Sequence, residues 1–209
     1  MEGRMKTISS HKNNKIKMGI IPGHFATNHS HINYYVDLTT IKTSAKMAAE
    51  TAKEFASTYT STPIETIICL EGTEILGAFL AQSLSESGIN QGGDISVVTP
   101  ELNSTNQLIF RDNTQGKIWG KKVMLLISSV STGKSINRAI DCLRYYNGQL
   151  SAIASIFSAR DSSNGVDIHS IFTQDDIPNY ATYVPSECPM CKQGVKVDAL
   201  VNSFGYSKL

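Results

Sequence analysis

Apolar positions along the chain change their spacing several times, and each change marks an element. Across residues 43–59, Met47, Ala48, Ala52, Phe55, Ala56 and Tyr59 recur mostly three and four residues apart, which predicts an amphipathic helix. Residues 64–70 read as a short apolar strand, Glu71-Gly72-Thr73-Glu74 as a turn, and 75–87 as a mostly apolar helix. A short strand is predicted at 94–98, followed by a polar loop over 99–116 rich in Asn, Thr and Gln. The run Val123-Met124-Leu125-Leu126-Ile127 is apolar without a break, the mark of a strand buried on both faces. That central strand is predicted over 122–128. A helix follows over 134–147, with Ile136, Ala139, Ile140 and Leu143 on one side, and then a strand over 150–158. Strands alternating with helices predict an α/β fold, a mainly parallel sheet with helices on both faces.

Ligands of such sheets bind at the carboxyl ends of the strands, here the loops after residues 70, 98, 128 and 158. The loop at 128–135 carries the densest chemistry. Ser131-Thr132-Gly133-Lys134-Ser135 supplies hydroxyl donors and a glycine between a buried strand and a helix N-terminus. Strand, hydroxyl- and glycine-rich turn, then helix aims backbone N–H groups and a helix dipole at an anion. Simple capping needs one hydroxyl, and this turn has several, so phosphate binding is the expectation. Gly133-Lys134-Ser135 also fits the end of a P-loop, but the opening glycine of that pattern falls at Ser128.

Composition narrows the function classes. With 209 residues, 41% of them hydrophobic, the chain can bury one good core and a small appendage. A net charge of +1 without a long single-sign run predicts neither a nucleic-acid nor a membrane partner. The basic, polar stretch from Met1 to Met18 leads into no hydrophobic run, so no signal peptide is expected. The 4 cysteines do not read as a secreted disulfide framework, and the expected compartment is the cytoplasm. Cys69 and Cys142 fall on apolar faces and read as core residues. Cys188 and Cys191 form a Cys-x-x-Cys with Pro189 and Gly194, which is half of a structural zinc site. His24, His29 and His31 are candidates for the other half; two reduced thiols in a tight turn are the alternative.

Together these pieces resemble the type I phosphoribosyltransferases, and within them orotate phosphoribosyltransferase, over roughly residues 19 to 195. Gly23-His24-Phe25, Ser30-His31 and Asn33-Tyr34-Tyr35-Val36-Asp37 are similar to the family's N-terminal hood. Glu71-Gly72-Thr73-Glu74 stands at the family's pyrophosphate turn, and 99–116 at its mobile catalytic loop. Ser131–Ser135 matches its 5′-phosphate loop, and Cys188-Pro189-Met190-Cys191 resembles a C-terminal segment of some members. The division that follows is an arm and hood over 1–42, an α/β core over 43–180, and a C-terminal segment over 181–209.

The resemblance implies transfer of ribose 5-phosphate from phosphoribosyl pyrophosphate to a pyrimidine base such as orotate, with magnesium held through the substrate, in a homodimer. It implies phosphate binding by Ser131, Thr132, Gly133, Lys134 and Ser135, and base binding by Phe25, His31, Tyr34 and Tyr35. Arg111 and Asp112 are its implied catalytic residues in the loop. Two departures stand out. The family's acidic pair falls at Ile127 and Ser128, which carry no charge, and the first part of the loop, Val98 to Asn103, has no lysine. These departures leave open a phosphoribosyl-binding regulator or partner subunit in place of an active transferase.

Overall fold

The computed structural model describes residues 2–105 and 107–209, so Met1 of the arm and residue 106 of the long loop lie outside the described residues. The chain begins with strands β1 (Lys6–Ser9), β2 (Lys17–Ala26) and β3 (His31–Asp37), then helices α1 (Thr39–Thr43) and α2 (Ala45–Thr58). Next come β4 (Thr66–Cys69), α3 (Glu74–Ser85), β5 (Ser96–Val98), a small hairpin of β6 (Glu101–Leu102) and β7 (Leu108–Ile109), and the short α4 (Asp112–Gln115). The middle of the chain supplies β8 (Lys122–Val130), α5 (Lys134–Tyr145), β9 (Gln149–Ser158), β10 (Ser162–Ser163) and β11 (Val166–Thr173). The C-terminal part adds β12 (Thr182–Tyr183), α6 (Pro189–Lys192), β13 (Ala199–Asn202) and β14 (Gly205–Lys208).

The main sheet has the order β10-β11-β9-β8-β4-β5, and all its pairings are parallel except that of β10 with β11. β8 is interior because both its faces are apolar. Met124 and Leu126 join the core formed with Phe55 of α2 and Leu76 and Leu80 of α3. Val123, Leu125 and Ile127 point the other way, to Ile136, Ile140 and Leu143 of α5. All five strand residues are fully buried, as the unbroken apolar run predicts for a strand with a helix layer on each side. At Gly77, α3 approaches β4 so closely that a Cβ would collide with the sulfur of Cys69.

Several sequence expectations need correction. The helix predicted over 43–59 is interrupted at Ser44, whose extended backbone ends α1 and whose hydroxyl accepts the Met47 N–H at the start of α2. Within 99–116 the described residues are not one continuous loop: β6 and β7 pair, and Arg111 bonds Glu101 at 2.6 Å. The arm and the C-terminal segment share one sheet, in the order β12-β3-β2-β13-β14, with β1 also on β2. β13 runs parallel to β2, with Ala199 opposite Phe25. This remote pairing is invisible to a local pattern. Among the described residues no helix is long and apolar enough to cross a membrane.

Candidate functional site

A cavity of about 820 Å³ opens where the carboxyl ends of β4 and β8 meet the second sheet. That position follows from the parallel topology, and the volume suits a small-molecule site. Ser131, Thr132, Gly133, Lys134 and Ser135 all line it. β8 delivers the turn, and Gly133 takes φ +81° at the N-cap of α5, a left-handed conformation that residues with a Cβ rarely adopt. The 12-residue α5 then directs its positive end toward the cavity.

Arg160, which the sequence reading passed over, lies across this turn. It follows β9, and its guanidinium donates to the Thr132 carbonyl at 2.9 Å. Its Cδ is 3.5 Å from where a Gly133 Cβ would stand. The signal for it was positional: the loop after residue 158 is one of those that converge at the strand ends.

The neighbouring turn, Glu71 to Glu74, contributes Glu71, Gly72 and Glu74 to the cavity wall. Thr73 is buried instead, and its hydroxyl bonds the carbonyls of Leu70 and Leu126 at 3.0 and 3.1 Å, tying the turn to the central strand. Glu71 has φ +60°, so it holds a strained left-handed backbone without being glycine. Its carboxyl accepts the Ser128 hydroxyl at 2.7 Å, and it also engages the Ser129 backbone and the Ser135 hydroxyl. An acidic group therefore occupies a donor of the Ser131–Ser135 turn. Burial pushes the Glu71 carboxyl above the usual carboxylate range, against the pull of these donors and of Lys42.

Lys42, also missed from sequence, braces this turn from α1. Its ammonium donates to the Glu71 carbonyl at 3.2 Å and to the Ser203 carbonyl. Burial lowers its pKa, while Glu71, Asp37 and Glu74 raise it.

A folded-state pKa above the unfolded one means that the native state binds more protons than the unfolded state between the two values. Stability therefore falls as pH rises from the ordinary carboxylate range through the raised Glu71 value. Glu71→Gln, which keeps the shape without the ionisation, is expected to melt at nearly the wild-type temperature in acid and above it at alkaline pH. Thermal melts of both proteins across that range check this, and parallel curves would show that Glu71 stays ionised.

The structure separates the hood residues. Tyr35 lines the cavity, together with Thr27, Asn28, His29, Ile32 and Val36, and burial beside Asp37 and Tyr206 pushes its hydroxyl up to about 12. Phe25 is not among the cavity-lining residues; it is fully buried in a cluster with Ile21, Ile32, Tyr35 and Ala199. Tyr34 packs half-buried against the main core. His31 belongs to a separate group with His24, Cys188 and Cys191, whose ligand atoms all lie within 4.8 Å of one another. Arg111 and Asp112 are not among the cavity-lining residues; the exposed Arg111 is held in its ion pair with Glu101.

Comparison with known proteins gives the class first. The fold is that of the type I phosphoribosyltransferases. Adenine phosphoribosyltransferase from Thermoanaerobacter pseudethanolicus superposes with a TM-score of 0.52 at 17% identity, over 82% of this chain and 96% of that one. Orotate phosphoribosyltransferase from Mycobacterium tuberculosis gives 0.53 at 14% identity, over 76% and 91%. Within the class the sequence resembles orotate phosphoribosyltransferase. The protein of that name from Carboxydothermus hydrogenoformans is 35% identical over 77 residues, and that from Caldicellulosiruptor saccharolyticus 29% over 80. These matches span 36% and 37% of this chain and only 39% and 40% of the relatives' own lengths. No protein-family model matches the chain.

Proposed function

We propose that this protein is a phosphoribosyltransferase that transfers ribose 5-phosphate from phosphoribosyl pyrophosphate to a pyrimidine base such as orotate. The observation that carries the reading is the turn Ser131–Ser135, at the end of the central strand of a type I phosphoribosyltransferase fold and facing a cavity shared with the Glu71–Glu74 turn. Orotate phosphoribosyltransferase from M. tuberculosis, solved in complex with phosphoribosyl pyrophosphate, aligns with a TM-score of 0.52 over 68% of this chain and 82% of that one, which supports the substrate class.

In this reading the 5′-phosphate sits on the N–H groups and hydroxyls of Ser131–Ser135, with Arg160 beside it. The pyrophosphate lies toward Gly72, and the base lies under the hood near Tyr35 and His29. The bond from the anomeric carbon to the pyrophosphate oxygen breaks with its electron pair leaving on pyrophosphate, and a base nitrogen forms the new bond as its proton passes to solvent or to the released pyrophosphate. Positive charge develops at the anomeric carbon between these events. The family's acidic pair is absent at Ile127 and Ser128, but Glu71 brings its carboxyl to Ser128 from the adjoining turn. One carboxyl therefore stands close to where two are missing. Holding the reacting groups in register and excluding water are the protein's remaining contributions.

Magnesium fits as the substrate's counter-ion. The Glu71 carboxyl is already engaged by three protein groups, which leaves Glu74, near the Thr99 hydroxyl, as the cavity carboxylate available to it. Bound with the substrate, the ion would offset negative charge on the leaving pyrophosphate. Arg111 and Asp112 act in this reading when the β6–β7 hairpin folds over the cavity. Two such chains form the homodimer, in the cytoplasm, where cysteines outside disulfides stay reduced.

The test is incubation with phosphoribosyl pyrophosphate, magnesium and, separately, orotate, uracil, adenine or hypoxanthine, with pyrophosphate release measured. Release that depends on orotate is the expected result. Tight binding of phosphoribosyl pyrophosphate without release on any base would replace the transferase by a phosphoribosyl-binding regulator, the reading that the uncharged Ile127 and Ser128 favour.

A further inference from the structure

We infer that His24, His31, Cys188 and Cys191 form a structural zinc site that fastens the C-terminal segment to the hood. The two histidines come from the β2–β3 hairpin. His31 is the cross-strand partner of Ala26, and His24, two residues before Ala26, shares its face, so the two rings meet with centroids 4.9 Å apart. The two cysteines come from one turn of chain. Cys188 caps α6 and Cys191 lies three residues on, a spacing that puts both thiols on one side of a helical turn.

The distances suit one tetrahedral ion. Zinc bonds nitrogen at about 2.0–2.1 Å and sulfur at about 2.3 Å, so a regular tetrahedron sets N···N near about 3.3 Å and N···S near about 3.6 Å. Here His24 Nε2 is 3.0 Å from His31 Nδ1, and 3.6 Å from each of the Cys188 and Cys191 sulfurs. Cys191 Sγ is 3.3 Å from His31 Nδ1. Four ligands of the types Cys2His2 make a closed set, which is structural rather than catalytic, and the S2N2 donors select zinc.

A second observation fixes the donor atom. His24 Nδ1 lies 2.8 Å from the Val195 carbonyl, which can only accept, so the proton is on Nδ1 and the lone pair of Nε2 faces the other three ligands. Val195 is itself held by its N–H on the Met190 carbonyl, and Asp198 binds the His24 backbone in both directions. One segment thus supplies two ligands and the orienting acceptor for a third. Cys188 and His24 are almost fully buried, while Cys191 is exposed.

The consequence reaches the cavity. The hairpin turn at Thr27–His29 and the β13–β14 turn at Asn202–Phe204 both line it, and the zinc site lies where their segments join. Loss of the ion is expected to loosen that wall without removing the phosphate turn.

The test uses the full chain, expressed with zinc and kept reduced. Elemental analysis is expected to find about one zinc per chain, and less than a tenth of that in Cys188→Ala/Cys191→Ala. Cys142→Ala, a thiol outside the group, is expected to keep it all. To separate metal binding from misfolding of the double variant, cobalt(II) is titrated into metal-free wild-type protein as well. A tetrahedral visible spectrum with a thiolate-to-cobalt charge-transfer band, removed by one equivalent of zinc, is expected. Protein that is metal-free after purification and gives an octahedral spectrum, or none, would overturn the inference in favour of an ordinary pair of thiols. A disulfide between Cys188 and Cys191 that forms and breaks freely in the presence of excess zinc would overturn it equally.

Discussion

Valine at Gly133 is expected to abolish binding of ribose 5-phosphate at concentrations that saturate the wild type. The backbone there has φ +81°, and a β-branched residue in the left-handed region is an outlier, so the turn must change course. A side chain would also enter the space beside Arg160, whose Cδ is 3.5 Å from the Cβ position. Both effects move the backbone N–H groups of the turn that the proposed function assigns to the phosphate. Thr132→Val, which removes one hydroxyl and leaves the backbone alone, is expected to cost less, about 1–3 kcal/mol. Lys134→Ala is expected to change affinity only a few-fold, because in the proposed function the backbone and hydroxyls of the turn carry the phosphate. Calorimetric titration of the three variants with ribose 5-phosphate gives the order directly. If Lys134→Ala alone abolished binding, and ATP bound better than phosphoribosyl pyrophosphate, the turn would have to be read as a P-loop.

Leu126→Ala is expected to destabilise the fold by roughly 2–5 kcal/mol, since it opens a cavity in the middle of a close-packed sheet. Leu126 is fully buried between β8 and the α2–α3 layer. Its carbonyl also accepts the Leu70 N–H at 2.8 Å and the Thr73 hydroxyl at 3.1 Å, so the Glu71–Glu74 turn is tied to this residue. The urea midpoint is expected to fall with little change in slope, the pattern of lost stability without lost compactness. A loss below about 1 kcal/mol would mean that the site collapses around the smaller side chain, contrary to a rigid core.

The apolar code determined the main sheet. Its unbroken run at Val123–Ile127 required a helix layer on each face, and the two cores supply them. The turn Ser131–Ser135 was equally legible, because strand, turn and helix are contiguous and their geometry is local. Less was readable where the determining contacts are remote in sequence. Nothing in the local pattern pairs β13 with β2, brings Lys42 under the Glu71 turn, or lays Arg160 across Thr132. Only the packing of the two turns shows the Glu71 carboxyl engaged by Ser128, Ser129 and Ser135. Only the packing places Phe25 in a cluster with Tyr35 and Ala199 and sets Tyr34 half-buried against the main core. The cysteine pair was visible as half a metal site, with three histidines as candidates for the rest. Which two complete it depends on the β2–β3 register and on a chain segment 164 residues away from His24. Helices, strands and their turns come from short-range spacing and are written in the chain. The cavity and the Cys/His group come from which faces meet, and that is decided when the cores close.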